Sequence, residues 1–201
     1  GLKPIIGSDI ILADGDNLSS VTLLCQNQQG YRHLVCLITR AYLEGQKDHQ
    51  QPVITWSWLC DYQEGLIVLS GGRKGDVGQA LLAGKEALAK TLASRWQQQF
   101  PDRFYLELTR TGRADEEEYL HAAVKLAGEL QIPVVATNDV CFLNEEDFEA
   151  HEARVCIHSG YVLEDEKRPH EYSEYQYLRS PEEMQALFED IPEAIDNTVA
   201  I

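Results

Sequence analysis

The sequence predicts an α/β fold in which parallel strands are joined by crossover helices, and three observations carry that expectation. Short apolar runs bounded by Gly, Pro or Asp recur at Pro4–Ile6, Val21–Leu24, Leu66–Leu69, Phe104–Leu108 and Pro133–Ala136, each of strand length. Between most of them lie stretches with apolar residues at helical spacing. The strand-then-helix alternation with short turns implies parallel pairing, which leaves an open doubly wound sheet and a closed β/α barrel both possible.

The helices follow from periodicity and from their start signals. Tyr31, Leu34, Leu37, Ile38, Ala41 and Tyr42 share one face, and Ala80, Leu81, Leu88, Leu92 and Trp96 continue the pattern later. Ala114–Leu130 opens on Asp115, Glu116, Glu117 and Glu118, acids placed where the helix dipole favours them, before turning apolar at Leu120, Ala123, Val124 and Ala127. Asn144, Glu145, Glu146 and Asp147 repeat the device ahead of a helix over Phe148–His158. Ser180-Pro181-Glu182-Glu183 is a capping box with Pro at the first helical position, and Ile191–Ile201 is helical by pattern after Pro192. Glu164–Tyr177, rich in Glu, Arg, His and Tyr, reads as an exposed loop.

The 201 residues are 44% hydrophobic, enough to fill one domain core. Seventeen Lys and Arg stand against 33 Asp and Glu, a formal charge of -16, so the surface repels phosphate and little direct DNA binding is expected. Cys25, Cys36, Cys60, Cys141 and Cys156 are scattered and never spaced C-x-x-C, the pattern of reduced thiols in cytoplasm. No apolar stretch approaches the roughly 20 residues needed to span a bilayer, so no membrane partner is expected. The chain runs from Gly1 almost at once into an apolar segment, which reads as a fragment of something longer.

In parallel β/α architectures the working residues gather at the carboxyl ends of strands. Those ends offer Ser8 and Asp9, then Ser70-Gly71-Gly72-Arg73, Thr109-Arg110-Thr111-Gly112, and Thr137-Asn138-Asp139-Val140-Cys141. Asp9 and Asp139 are possible hard ligands for Mg, Mn or Zn, with Cys141 a soft one, although Asp after a strand also serves as a turn former or helix cap. Of the six histidines, most fall on helical faces away from strand ends. His33 and His121 read as surface or lightly packed residues; His151 and His158, seven apart, could share a helix face, although a polar stripe accounts for that spacing, and only His151 stands as a candidate partner. Ser70–Gly75 has glycines and a basic pair suited to phosphate, but a tight turn into a helix over Asp76–Leu82 accounts for it as well. No nucleophile elbow or Cys–His pair is present.

Lys3-Pro4-Ile5-Ile6-Gly7-Ser8-Asp9, Glu64–Gly72, Tyr105–Leu108 and Pro133–Val140, followed by Asp147-Phe148-Glu149-Ala150-His151, resemble in order the PHP (polymerase and histidinol phosphatase) domain of bacterial DNA polymerase III alpha subunits. The resemblance implies a β/α barrel of about seven strands, here lacking the first strands, which carry the family's His-x-His pair. It implies a PHP domain over 1–190 and the start of a connection toward the polymerase region over 191–201.

It also implies a degenerate metal site. Asp9 matches an acidic ligand position and Asp139 stands in the Asn-Asp-x-His turn, but Cys141 replaces that turn's His, Thr111 stands where a His precedes Gly, and Gly72 falls at a further ligand position. Such a rim is expected to have no phosphoesterase activity and at most to retain weak Mg, Mn or Zn binding at Asp9 and Asp139. The implied role is that of a scaffold and a docking surface for the proofreading exonuclease subunit. The Mg-dependent polymerase chemistry would lie outside the fragment. An active metal-dependent phosphoesterase or pyrophosphatase is the alternative.

Overall fold

The alternation Ile10, Leu12 on one side and Val21, Leu23 on the other drives the first feature of the fold, an antiparallel hairpin of β1 (Gly7–Asp14) and β2 (Asn17–Cys25). Asp14 pairs with Asn17 across Gly15 and Asp16, and Gly15 sits at φ 62°, the left-handed conformation that a two-residue hairpin turn requires. The computed structural model describes residues 4–46, 51–165, 167–168 and 170–201; Gly1, Lys3 and His49 lie outside them.

The remaining strands are β3 (Val53–Thr55), β4 (Leu66–Leu69), β5 (Phe104–Thr109) and β6 (Val134–Thr137). They join the hairpin in one six-stranded sheet of order β3-β1-β2-β4-β5-β6. Five strands run in one direction and β2 alone is reversed. The α/β class is as expected, with β2 the exception to parallel pairing. Among the described residues the sheet has two ends, β3 and β6.

One sheet face carries the core. Leu12, Val21, Leu23, Leu66, Val68, Phe104, Leu106 and Leu108 are buried there against helices on that side. These are α1 (Gln28–Glu44), α2 (Trp56–Asp61), α3 (Asp76–Leu82), α4 (Glu86–Gln99) and α5 (Glu116–Leu130). Asn27 caps α1 by accepting from the amides of Gln29 and Gly30, both at 3.0 Å. Trp96 on α4 is fully buried, stacked on Phe104 with centroids 5.5 Å apart and edge-on to Trp56 at 4.6 Å. After β6 come α6 (Phe148–Ser159), α7 (Pro181–Leu187) and α8 (Pro192–Ala200). Helix α8 lies against β6, where Asn197 Nδ2 donates to the Val134 carbonyl at 2.8 Å.

Several expectations need correction. The first strand is Gly7–Asp14 and not Pro4–Ile6; Ile5 and Ile6 are exposed, because the paired, alternating run begins after them. Asp9 therefore lies inside β1 and not beyond its end. The single amphipathic pattern from Ala80 to Trp96 divides into α3 and α4 at Gly84, whose φ of 67° ends a helix. Strand β3, three residues long, and α2 carry too little pattern to be read from sequence. The described residues of 164–177 form no helix or strand, as expected of a loop, yet Gln176 among them is completely buried.

Candidate functional site

The second sheet face is apolar at one end and polar at the other. Ile67, Leu69 and Val135 form a small cluster with Leu24, Tyr105 and Ile201. Further along the same strands, where β5 and β6 outrun β4, the inward positions become Asp9, Thr22, Glu107, Thr109 and Thr137. They open into a cavity of about 360 Å³ whose lining includes Asp9, Gly72, Glu107 and Asp139, with Arg73, Lys74 and Arg113 at its rim. Three sequence-derived positions thus meet in one pocket.

Each carboxylate there already has a protein donor. Thr22 Oγ1 donates to Asp9 Oδ1 at 2.6 Å, and Thr137 Oγ1 donates to Glu107 Oε1 at 2.6 Å. Asp139 Oδ2 accepts from Arg113 Nη1 at 2.6 Å and from Gln176 Nε2 at 3.1 Å. Burial pushes the Glu107 carboxyl above its ordinary range, against the Thr137 hydrogen bond and with help from the charges of Asp9 and Asp139.

Thr111 and Cys141 stand beside this pocket. Thr111 is completely buried in the turn after β5, and its hydroxyl donates to Glu116 Oε1 at 2.9 Å while accepting from Arg113 Nε at 2.8 Å. Glu116, only 2% exposed, also accepts from Thr109 Oγ1 at 2.6 Å and from the Thr111 amide. Burial works against its ionised form, but these donors and the Arg113 charge hold its carboxyl below the usual range. Cys141 is half-buried; burial and the neighbouring Asp139 raise its thiol, and Gln176 Nε2 lies 3.4 Å from its sulfur.

Gly72 contributes no side-chain donor; a Cβ built there would meet only the Glu107 carbonyl, at 4.0 Å. His151 is 6% exposed and does not line the pocket; it packs edge-on to Tyr172, 4.6 Å between centroids, and beside Phe142. Arg110 is drawn elsewhere, forking onto Asp190 at 2.6 and 2.9 Å. Ser70–Gly75 forms a tight turn into α3, with Gly71 at φ 75°.

A multinuclear metal cluster needs several free, closely spaced ligands. Here Thr111 is committed to Glu116 and Arg113, Gly72 has no side chain to offer, burial and the Asp139 charge push the Cys141 thiol up, which disfavours its thiolate, and Asp139 is paired to a guanidinium. The donor set does not fit such a cluster. Among the described residues no group of three or more His, Cys, Asp or Glu side chains is arranged to hold a metal ion.

Sequence reading missed Glu107, Arg113 and Gln176. Glu107 had a signal, a lone acid in the otherwise apolar run Phe104–Leu108. Arg113 and Gln176 had none, since only folding brings the turn after β5 and the segment after α6 to the same carboxylate. Among the described residues no helix is long and apolar enough to cross a membrane.

Comparison with known proteins matches residues 1–111 to the PHP domain. DNA polymerase III subunit alpha of Vibrio cholerae is 55% identical over 204 residues, an alignment that takes in 100% of this chain and 18% of that protein. The subunits of Escherichia coli K12 and Pseudomonas aeruginosa are 53% and 51% identical, again over 100% of this chain and 18% and 17% of theirs. The chain spans less than a fifth of the length of the curated relatives it matches. With the family profile covering more than half its residues, and whole-chain likeness to proteobacterial DNA polymerase III alpha subunits, this chain belongs to the PHP domain family.

Proposed function

We propose that this chain serves as the PHP domain of a replicative DNA polymerase III alpha subunit, working there as a structural scaffold and a docking surface for the proofreading exonuclease, without phosphoesterase activity. Residues 1–190 form the domain in this reading, and 191–201, which hold α8, begin the connection toward the polymerase region. The observation that carries it is the state of the rim: Asp9, Glu107 and Asp139 are each engaged by Thr22, Thr137 or Arg113, and the vestigial positions Gly72, Thr111 and Cys141 add no ligand. Nucleotidyl transfer and its Mg requirement belong to the remainder of the longer protein, and the setting is cytoplasmic. The acidic charge disfavours direct DNA binding and leaves protein partners as the chain's main contacts.

Calorimetric titration of the chain with the proofreading exonuclease tests the docking role. Saturable binding supports it, and the absence of measurable heat at high micromolar concentration refutes it. A second reading, a metal-dependent phosphoesterase or pyrophosphatase, is favoured by one observation: three carboxylates line a single pocket. Turnover of a chromogenic phosphodiester with Mn or Zn, abolished by Asp139→Asn, would establish it.

A further inference from the structure

The two turns that meet at the rim, Thr111–Arg113 after β5 and Asp139–Cys141 after β6, are tied together by polar side chains. Arg113, whose side chain is 12% exposed, donates to Thr111 Oγ1 at 2.8 Å and to Asp139 Oδ2 at 2.6 Å, and its second terminal nitrogen lies 3.6 Å from buried Glu116. Gln176, fully buried, reaches in from the segment after α6 and donates to the Asp139 carbonyl and to Asp139 Oδ2, both at 3.1 Å. Asp139 is held at φ 45°, a left-handed conformation that a non-glycine residue keeps only where its surroundings fix it.

We infer that Arg113 acts as a built-in cation at this rim, doing with a guanidinium, and with Gln176 beside it, the cross-linking of the β5 and β6 turns that bound divalent ions would otherwise provide. The inference rests on the reading of this rim as metal-free and assigns the residue responsible. The chemistry suits the task. A guanidinium is planar, permanently charged and offers several donors, so one side chain satisfies Asp139 and Thr111 and neutralises Glu116 from the same plane. Placed there, it supplies the positive charge the carboxylates need, and repels any cation approaching Asp139.

The test uses the full chain with Arg113→Gln and Arg113→Lys, melted with and without millimolar MnCl2 and titrated with Mn2+ by calorimetry. The unaltered chain is expected to melt at the same temperature in either buffer. Arg113→Gln leaves Asp139 and buried Glu116 without a counter-charge, and its midpoint should fall by roughly 5–10 °C. Mn2+ should then restore at least a third of that loss and give a binding isotherm absent from the unaltered chain. Arg113→Lys, which keeps the charge but loses the fork, should lose a few degrees and be rescued less. Should Arg113→Gln fail to fold, the lysine variant carries the test, with partial Mn2+ rescue expected.

A fall in midpoint that Mn2+ leaves untouched in both variants would show ordinary packing and overturn the inference while sparing the metal-free reading. Stoichiometric Mn2+ on the unaltered chain would overturn that reading itself.

Discussion

Replacing Trp96 with Phe removes a single hydrogen-bond donor from the centre of the core and so measures how one buried carboxylate is maintained. Asp76, 7% exposed at the start of α3, accepts from Trp96 Nε1 with both oxygens at 3.0 Å and from the Val77 amide at 2.7 Å. Burial raises its carboxyl above the ordinary aspartate range, and the Trp96 hydrogen bond is the leading opposing influence. A hydrogen bond to a charged group contributes about 1.5–3 kcal/mol, and a void of about 40 Å³ left by the smaller ring adds about 1 kcal/mol, for a total near 2.5–4 kcal/mol at pH 7.

The sign with pH follows from linkage. A carboxyl with a raised folded-state pKa binds its proton more readily in the native state, so its contribution to stability declines as pH rises from the ordinary 3.8 through the folded value. Trp96→Phe raises that folded value further and steepens the decline. Below the ordinary value Asp76 is protonated in both states, and the deficit should shrink to the cavity cost plus a neutral hydrogen bond, smaller than at pH 7 by about 1–2 kcal/mol. Urea unfolding followed by circular dichroism at pH 7 and near pH 3.5, on both proteins, gives the comparison. Groups common to the two chains cancel in it. Equal deficits at the two pH values, or one under about 1 kcal/mol at pH 7, would refute the reasoning.

Other positions give sharper but simpler outcomes. Glu107→Gln keeps an acceptor for Thr137 while removing a charge crowded by Asp9 and Asp139, so it should stabilise the chain at pH 7, by about 1.4 kcal/mol for each unit of upward pKa shift relieved, read as a higher urea midpoint. Gly71→Ala should abolish stable folding, because a Cβ there would come within 1.9 Å of the Ser20 carbonyl at φ 75°; soluble yield and a melt check it. Ser180→Ala removes the acceptor for the Glu183 amide and should cost about 0.5–2 kcal/mol, with faster amide exchange in the first turn of α7. Arg110→Ala breaks the fork to Asp190 and the bond to the Leu187 carbonyl, and should loosen α7 and α8 ahead of the sheet in hydrogen exchange.

What the sequence made legible and what it hid divide along physical lines. Strands β4, β5 and β6 are buried, apolar and bounded by turn residues, so composition alone marks them. The helices over α5 and α7 announce themselves through acids and a capping box at their starts. Val21–Leu24 marks β2, but β1 and the hairpin pairing were not legible, because the apolar density of Ile5-Ile6 outweighs the weaker alternation of Gly7–Asp14 that pairs through the Gly15-Asp16 turn. At the site, Asp139 follows a recognisable strand, Asp9 reads as following the wrong strand and lies within β1, and Gly72 comes from the family resemblance; the fold does bring the three together. Glu107 sits between Leu106 and Leu108, which face the core, and its lone charge in that apolar run was the one signal that it faces the other way. Arg113 and Gln176 act across long sequence separations, a relation that no local pattern encodes.

The central claim is that the rim's carboxylates are engaged by protein donors instead of ions. Elemental analysis of the chain purified without chelator, after dialysis against Mn2+ and Zn2+ and removal of free metal, tests it most directly. The account predicts well under one equivalent of either metal per chain. One or more equivalents retained by the unaltered chain, and released by Asp139→Asn, would contradict it.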